Sequence, residues 1–113
     1  MSQRRKSQAK RRASVFAALG DETRLLLLAR LSDGQRSSIS QLTKGAKITR
    51  QAITKHLRVL ENAGVVHAIR SGRESLFEFD PKPIIEIKEY LDLVSEQWDQ
   101  ALARLKLLVE PDS

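Results

Sequence analysis

The sequence predicts a mainly α-helical fold with one small β-hairpin, and three observations carry that reading. Residues 49–66, TRQAITKHLRVLENAGVV, place Ala52, Ile53, Leu57, Leu60 and Ala63 on one helical stripe, with a shorter helix signal before them across a turn containing Gly45. VVHAIR and ESLFEF, each rich in β-branched or aromatic residues, flank Ser71-Gly72-Arg73, the pattern of a hairpin. Apolar residues then recur from Ile84 to Val109 at a mean spacing near 3.6. Two helices joined by a turn and followed by a hairpin make a winged helix-turn-helix. The long final stripe suggests that the fold dimerises through terminal helices.

Each element has a local reason. Residues 1–13 are basic and polar with little to bury, so a flexible N-terminal arm is expected; a tail continuing into helix and an arm touching nucleic-acid backbone both stay open. Val15, Phe16 and Leu19 start the apolar pattern, and Gly20-Asp21 interrupts it. Asp21 suits an N-cap for TRLLLLARL, which is apolar nearly all round and therefore expected as a central core helix, closed by Asp33-Gly34. After a polar linker, Ser40 is an N-cap candidate for a short helix over 41–45, and Thr49 for the next. Gly64 ends that helix and frees Val65-Val66 to start a strand. Asp80-Pro81-Lys82-Pro83 stops the second strand and opens the last helix. Run unbroken from Ile84 to Val109, that helix would be about 39 Å long. A domain this size cannot cover such a stripe alone, so either the helix breaks in two or, the outcome expected, part of the stripe meets a second copy. The organisation predicted is an arm over 1–13, a winged helix-turn-helix over 14–80 and a dimerisation helix over 81–113.

Charge indicates the partner. Residues 1–35 carry eight Lys/Arg against three acids, residues 36–73 eight against Glu61 alone, and residues 74–113 four against ten. The first two segments favour a polyanion and the third does not. Cysteine is absent, which excludes disulfides, thiolate metal sites and a cysteine nucleophile. No apolar run reaches the roughly 20 residues that cross a bilayer, and no hydrophobic signal segment opens the chain, so a cytoplasmic protein without membrane association is expected.

On the predicted second helix, Arg50, Gln51, Thr54, Lys55 and Arg58 share the side opposite the apolar stripe, and the only acid is Glu61. A generic solvated face mixes signs, whereas this one is a bank of donors suited to base edges and phosphates in a DNA major groove. Arg50 and Gln51 lie at the end that meets base edges, and Arg58 is better placed for a phosphate. Arg70 and Arg73 bracket the hairpin tip and would lie along adjacent backbone or minor groove.

These segments resemble the ArsR/SmtB family of dimeric winged-helix repressors. The likeness rests on FAALGDETRLLLLARL, ITRQAITKHLRVLENAGVV and SGRESLFEF. It implies that Thr49 opens the recognition helix and that Arg50, Gln51, Thr54, Lys55 and His56 surround its DNA-facing side, with His56 equally open to a structural role. Metal-sensing members carry a thiolate motif where this chain has Arg36-Ser37-Ser38-Ile39-Ser40-Gln41-Leu42, and a serine hydroxyl is a poor ligand for a soft metal. The last helix has no His for the other metal site of the family, and His67 stands alone in its strand. No metal, no cofactor and no identifiable effector are expected, and a regulator without any effector is consistent with the sequence. The expected function is a homodimeric repressor on an inverted-repeat operator in double-stranded DNA. The alternative is a winged-helix protein-interaction module using the acidic last helix. An enzyme is not expected, since no nucleophile, acid/base pair or phosphate loop comes together.

Overall fold

The computed structural model describes residues 3–109. Five helices and a three-stranded sheet follow in order: α1 Gln3–Leu19, α2 Glu22–Leu31, β1 Ser37–Ser38, α3 Ile39–Thr43, α4 Arg50–Asn62, β2 Val66–Ser71, β3 Glu74–Phe79 and α5 Lys82–Val109. The helix-turn-helix is α3–α4, and the wing is the β2–β3 hairpin. The expected winged helix-turn-helix architecture is the one observed.

Helix ends follow from side-chain chemistry. Asp21 caps α2 by accepting from the Arg24 N–H at 3.0 Å, and Thr49 caps α4 by accepting from the Ala52 N–H at 3.1 Å. At the far end of α4 the Val65 N–H reaches Leu60 O (3.0 Å) and the Gly64 N–H reaches Glu61 O (2.9 Å). That double closure requires the left-handed Gly64 (φ +78°). The chain leaves it directly as β2, so α4 and the wing share one joint.

Four details depart from expectation. Ser38, not Ser40, caps α3: its Oγ accepts from the Gln41 N–H while Gln41 Oε1 accepts from the Ser38 N–H, a reciprocal box that starts the helix at Ile39. The supposed linker contains a third strand, with Ser37 opposite Phe77 and Ser38 opposite Leu76; two serines give no strand signal, and pairing with β3 supplies it. Residues 3–13, expected as a flexible arm, are the first three turns of α1. Helix α2 is not wrapped by core on all sides, because Leu27, Leu28 and Leu31 are buried while Leu25 and Leu26 are 52% and 62% exposed.

The core gathers Leu31, Leu42, Ile53, Leu57, Leu60, Val65 and Val66, all essentially solvent-free, with Val15, Ala18, Phe77 and Ile87 around them. It therefore sits directly beneath α4. Burying three fully enclosed aliphatic side chains of α4 contributes roughly 1.5–3 kcal/mol each, which fixes which side of that helix faces out. Arg30 adds a clamp, its fork donating to Leu42 O at 2.6 Å and Gln41 O at 3.0 Å, so that α3 is held to α2 by its C-terminal carbonyls.

Helix α5 is continuous over 28 residues, or about 42 Å. Its first turns pack at home: Ile87 is buried, Tyr90 meets Phe16 edge-on with ring centroids 6.3 Å apart, and Arg12 lies 4.6 Å over the Tyr90 ring. Beyond Leu93 the same stripe continues without cover, and Trp98, Leu102, Leu105 and Leu108 are each more than half exposed.

Candidate nucleic-acid interface

Because Ile53, Leu57 and Leu60 are fixed in the core, the opposite side of α4 must face solvent. Arg50, Gln51, Lys55 and Arg58 are exposed there, and Thr54 is half-buried beside them. Thr49 is also exposed, but its hydroxyl already accepts the capping bond. Thr54 Oγ donates to Arg50 O at 2.9 Å, which turns its proton inward and leaves lone pairs and a methyl for an outside partner. Arg50 Nη1 donates to Ser40 Oγ at 3.0 Å, a contact between α3 and α4 that no spacing in the sequence signals.

His56 leaves this group. Its ring turns toward α2, where Nδ1 lies 3.2 Å from Arg24 Nη1 and 3.7 Å from Asp21 Oδ2. Arg24 can only donate, so this contact is a hydrogen bond when Nδ1 is the accepting nitrogen of the ring. The same guanidinium donates to Ala18 O (2.6 Å) and Ala17 O (3.3 Å) at the end of α1. Asp21, receiving the Arg24 backbone N–H and lying beside Arg24 and His56, has its carboxyl held below the usual range. Thirty-two residues separate Arg24 from His56, and no local pattern signals a pairing at that distance.

The wing tip is a two-residue turn. Ser71 pairs with Glu74, and Gly72 takes φ +61° while Arg73 does not take a positive φ, the form of a type II′ hairpin. Arg70 Nε reaches Gly72 O at 3.4 Å, and both Arg70 and Arg73 are exposed. An open groove joins wing to helix, with Thr54 and Arg58 on one wall and Ala68 and Ser75 on the other. At the wing's root, His67 Nε2 lies 2.7 Å from Asp80 Oδ2. That hydrogen bond, seconded by the Lys82 N–H, lowers the Asp80 carboxyl.

The structure thus brings Arg50, Gln51, Thr54, Lys55 and Arg58 onto one side of one helix and puts Arg70 and Arg73 at the tip of the adjacent hairpin. Among the described residues no group of three or more His, Cys, Asp or Glu is arranged to hold a metal ion, and no helix is long and apolar enough to cross a membrane.

Comparison with known proteins agrees with this architecture. Residues 21–68 match the model of the arsR family of bacterial regulatory proteins. An uncharacterized HTH-type transcriptional regulator of Bacillus subtilis, YuzN, is 42% identical over 77 residues, covering 63% of this chain and 84% of that one. The HTH-type transcriptional repressor SmtB of Mycobacterium tuberculosis is 29% identical over 88 residues, covering 78% of this chain and 63% of that one. Among solved structures, an ArsR-like transcriptional regulator from Rhodococcus sp. RHA1 superposes with a TM-score of 0.81 at 34% identity, covering 94% of this chain and 99% of that one.

Proposed function

Since the chain belongs to the arsR family of bacterial regulatory proteins, we propose that it is a sequence-specific regulator of transcription, a homodimer that represses by occupying an inverted repeat in double-stranded DNA. The observation that carries this reading is the outer side of α4: four exposed donors of one sign or none, on a helix whose rotation is fixed by three core residues. Arg50 and Gln51, at the N-terminal end, address base edges; Lys55 and Arg58 address phosphates, and Thr54 offers its methyl and lone pairs. Arg70 and Arg73 follow the backbone beside the groove, and His56 acts from behind, holding α4 to α2.

In this reading residues 14–80 bind DNA and residues 81–113 join the copies. The exposed stripe from Leu91 to Val109 supports that, because this 19-residue stretch of amphipathic helix finds a natural cover in the same stripe of a second chain. Two recognition helices related by a two-fold axis enter successive major grooves about 34 Å apart, and a dimer seated there blocks polymerase. Such a regulator works where the DNA is, in the cytoplasm of a cell without a nucleus. Its relatives are regulators of transcription, and a binding role rather than a turnover role follows for this chain.

Selection of bound duplexes from a random pool by the purified protein tests the reading, with an inverted repeat as the expected result. Arg50→Ala then relaxes the preference at one base pair of each half-site by about 1–3 kcal/mol, whereas Arg73→Ala weakens all duplexes alike. Recovery of unrelated duplexes with no common half-site would refute it.

A further inference from the structure

We infer that Ser40 is a positioning residue for base recognition: its hydroxyl fixes the guanidinium of Arg50 before DNA arrives. The inference rests on the reading of Arg50 as a base contact. Arg50 is the first residue of α4, fully on the solvent side, with a long side chain free to sample many rotamers. Its Nη1 is nonetheless held at 3.0 Å by Ser40 Oγ.

Ser40 is the fixed partner of the two. Helix α3 has only five residues, yet it is fastened at both ends: by the Ser38–Gln41 box, by Thr43 Oγ donating to Ile39 O at 2.6 Å, and by the Arg30 fork on Gln41 O and Leu42 O. Leu42 is sunk in the core at 1% exposure. The hydroxyl is therefore presented from an immobile turn, while the arginine is the movable member. Ordering such a side chain on the DNA would otherwise cost rotamer entropy at the moment of binding.

The chemistry of the partner matters as much as its place. A hydroxyl accepts one of the five guanidinium donors and leaves the positive charge intact. A carboxylate in the same place would neutralise the charge and compete with the DNA. With Nη1 engaged, the Nε–Nη2 edge stays open, and a pair of parallel N–H groups is what guanine O6 and N7 accept. Ser40 thereby selects which edge of Arg50 is offered. It is not itself required for α3, since the cap is Ser38 and Ser40 is exposed.

The test compares wild type, Ser40→Ala, Ser40→Thr, Arg50→Ala and the double variant on a selected duplex, on that duplex changed at each half-site base pair in turn, and on random duplex. Ser40→Ala is expected to weaken the selected duplex about fivefold, the effect of losing one solvent-exposed hydrogen bond. It should reduce discrimination only at the pair that Arg50→Ala relaxes, and leave random duplex unchanged. Ser40→Thr restores discrimination, and the double variant is no worse than Arg50→Ala alone. Discrimination that depends on Arg50 and ignores Ser40 overturns this inference and spares the reading of Arg50. Discrimination indifferent to Arg50 overturns both. Circular dichroism of Ser40→Ala checks that α3 is intact, and a folded variant losing affinity for all duplexes equally also refutes positioning.

Discussion

Replacing Arg24 by Met isolates the junction where α1, α2 and α4 meet. Methionine keeps an unbranched apolar stem, so packing is largely preserved and the guanidinium is what is lost. Three hydrogen bonds go with it: Nε to Ala18 O at 2.6 Å, Nη1 with His56 Nδ1 at 3.2 Å, and Nη2 to Ala17 O at 3.3 Å. The first two are half-buried and involve a charged donor, a class that contributes roughly 1.5–3 kcal/mol apiece. The third is long and exposed and adds little. The Ala17 carbonyl keeps the Gly20 N–H at 3.2 Å, and the contact with His56 is long for a charged donor, so the expected cost is about 2–4 kcal/mol. With a urea m-value of about 2 kcal/mol per molar, the unfolding midpoint falls by roughly 1–2 M. Far-UV circular dichroism in urea measures it, at one protomer concentration because association adds to stability. His56→Phe in the same background should add less than it does alone, because the two residues share a bond. A midpoint within about 0.25 M of wild type, equivalent to roughly 0.5 kcal/mol, would refute the argument that this fork ties the elements together.

Other perturbations address other joints. Gly64→Ala forces a β-carbon into φ +78°, where the added atom meets Pro83 only at ordinary contact distance; the cost is the conformation itself, about 1–2 kcal/mol by thermal or urea unfolding. Asp80 has its carboxyl lowered by His67 and the Lys82 N–H, so its stabilisation is complete above the unfolded carboxylate value near 4 and is lost as pH falls through the lower folded value. Asp80→Asn should therefore be less stable than wild type at pH 7, with the gap closing below about pH 4, and a gap unchanged between pH 7 and pH 3 would contradict it. Trp98→Lys places a charge in the middle of the bare stripe of α5, which is 64% exposed at that residue. Sedimentation should then show a shift toward monomer with far-UV circular dichroism unchanged, and an unaltered mass would remove Trp98 from the pairing surface.

The architecture could be read from the sequence wherever a pattern is local. The three-and-four spacing of Ile53, Leu57 and Leu60, the cap at Thr49 and the break at Gly64 all act within a few residues, and each is where the sequence placed it. Strand β1 could not be read, because two serines become a strand only by pairing with Leu76 and Phe77 nearly forty residues on. The cap of α3 was misplaced by two residues, since both Ser38 and Ser40 are competent and only the reciprocal bond with Gln41 decides between them. At the candidate interface, periodicity alone grouped Arg50, Gln51, Thr54, Lys55 and Arg58. It could not show that His56, next to Lys55 in sequence, is drawn to the other side by Arg24, nor that Arg50 rests on Ser40. Both are contacts across the fold, and a period of 3.6 carries no information about them.

Val65 has a mechanical consequence. Its N–H closes the last turn of α4 on Leu60 O, its own carbonyl accepts the Asp80 N–H at 2.8 Å, and the next residue, Val66, is paired with Phe79. One solvent-free residue thus ties α4, the hairpin and the approach to α5 together through backbone hydrogen bonds. These bonds hold α4 and the wing in one relative orientation, whatever the gap between the half-sites of the proposed operator. Under the proposed function, tolerance to spacer length in an operator then comes from bending where two copies would meet. A dimer of this kind would act as a pair of calipers, set at the pivot and not in the jaws.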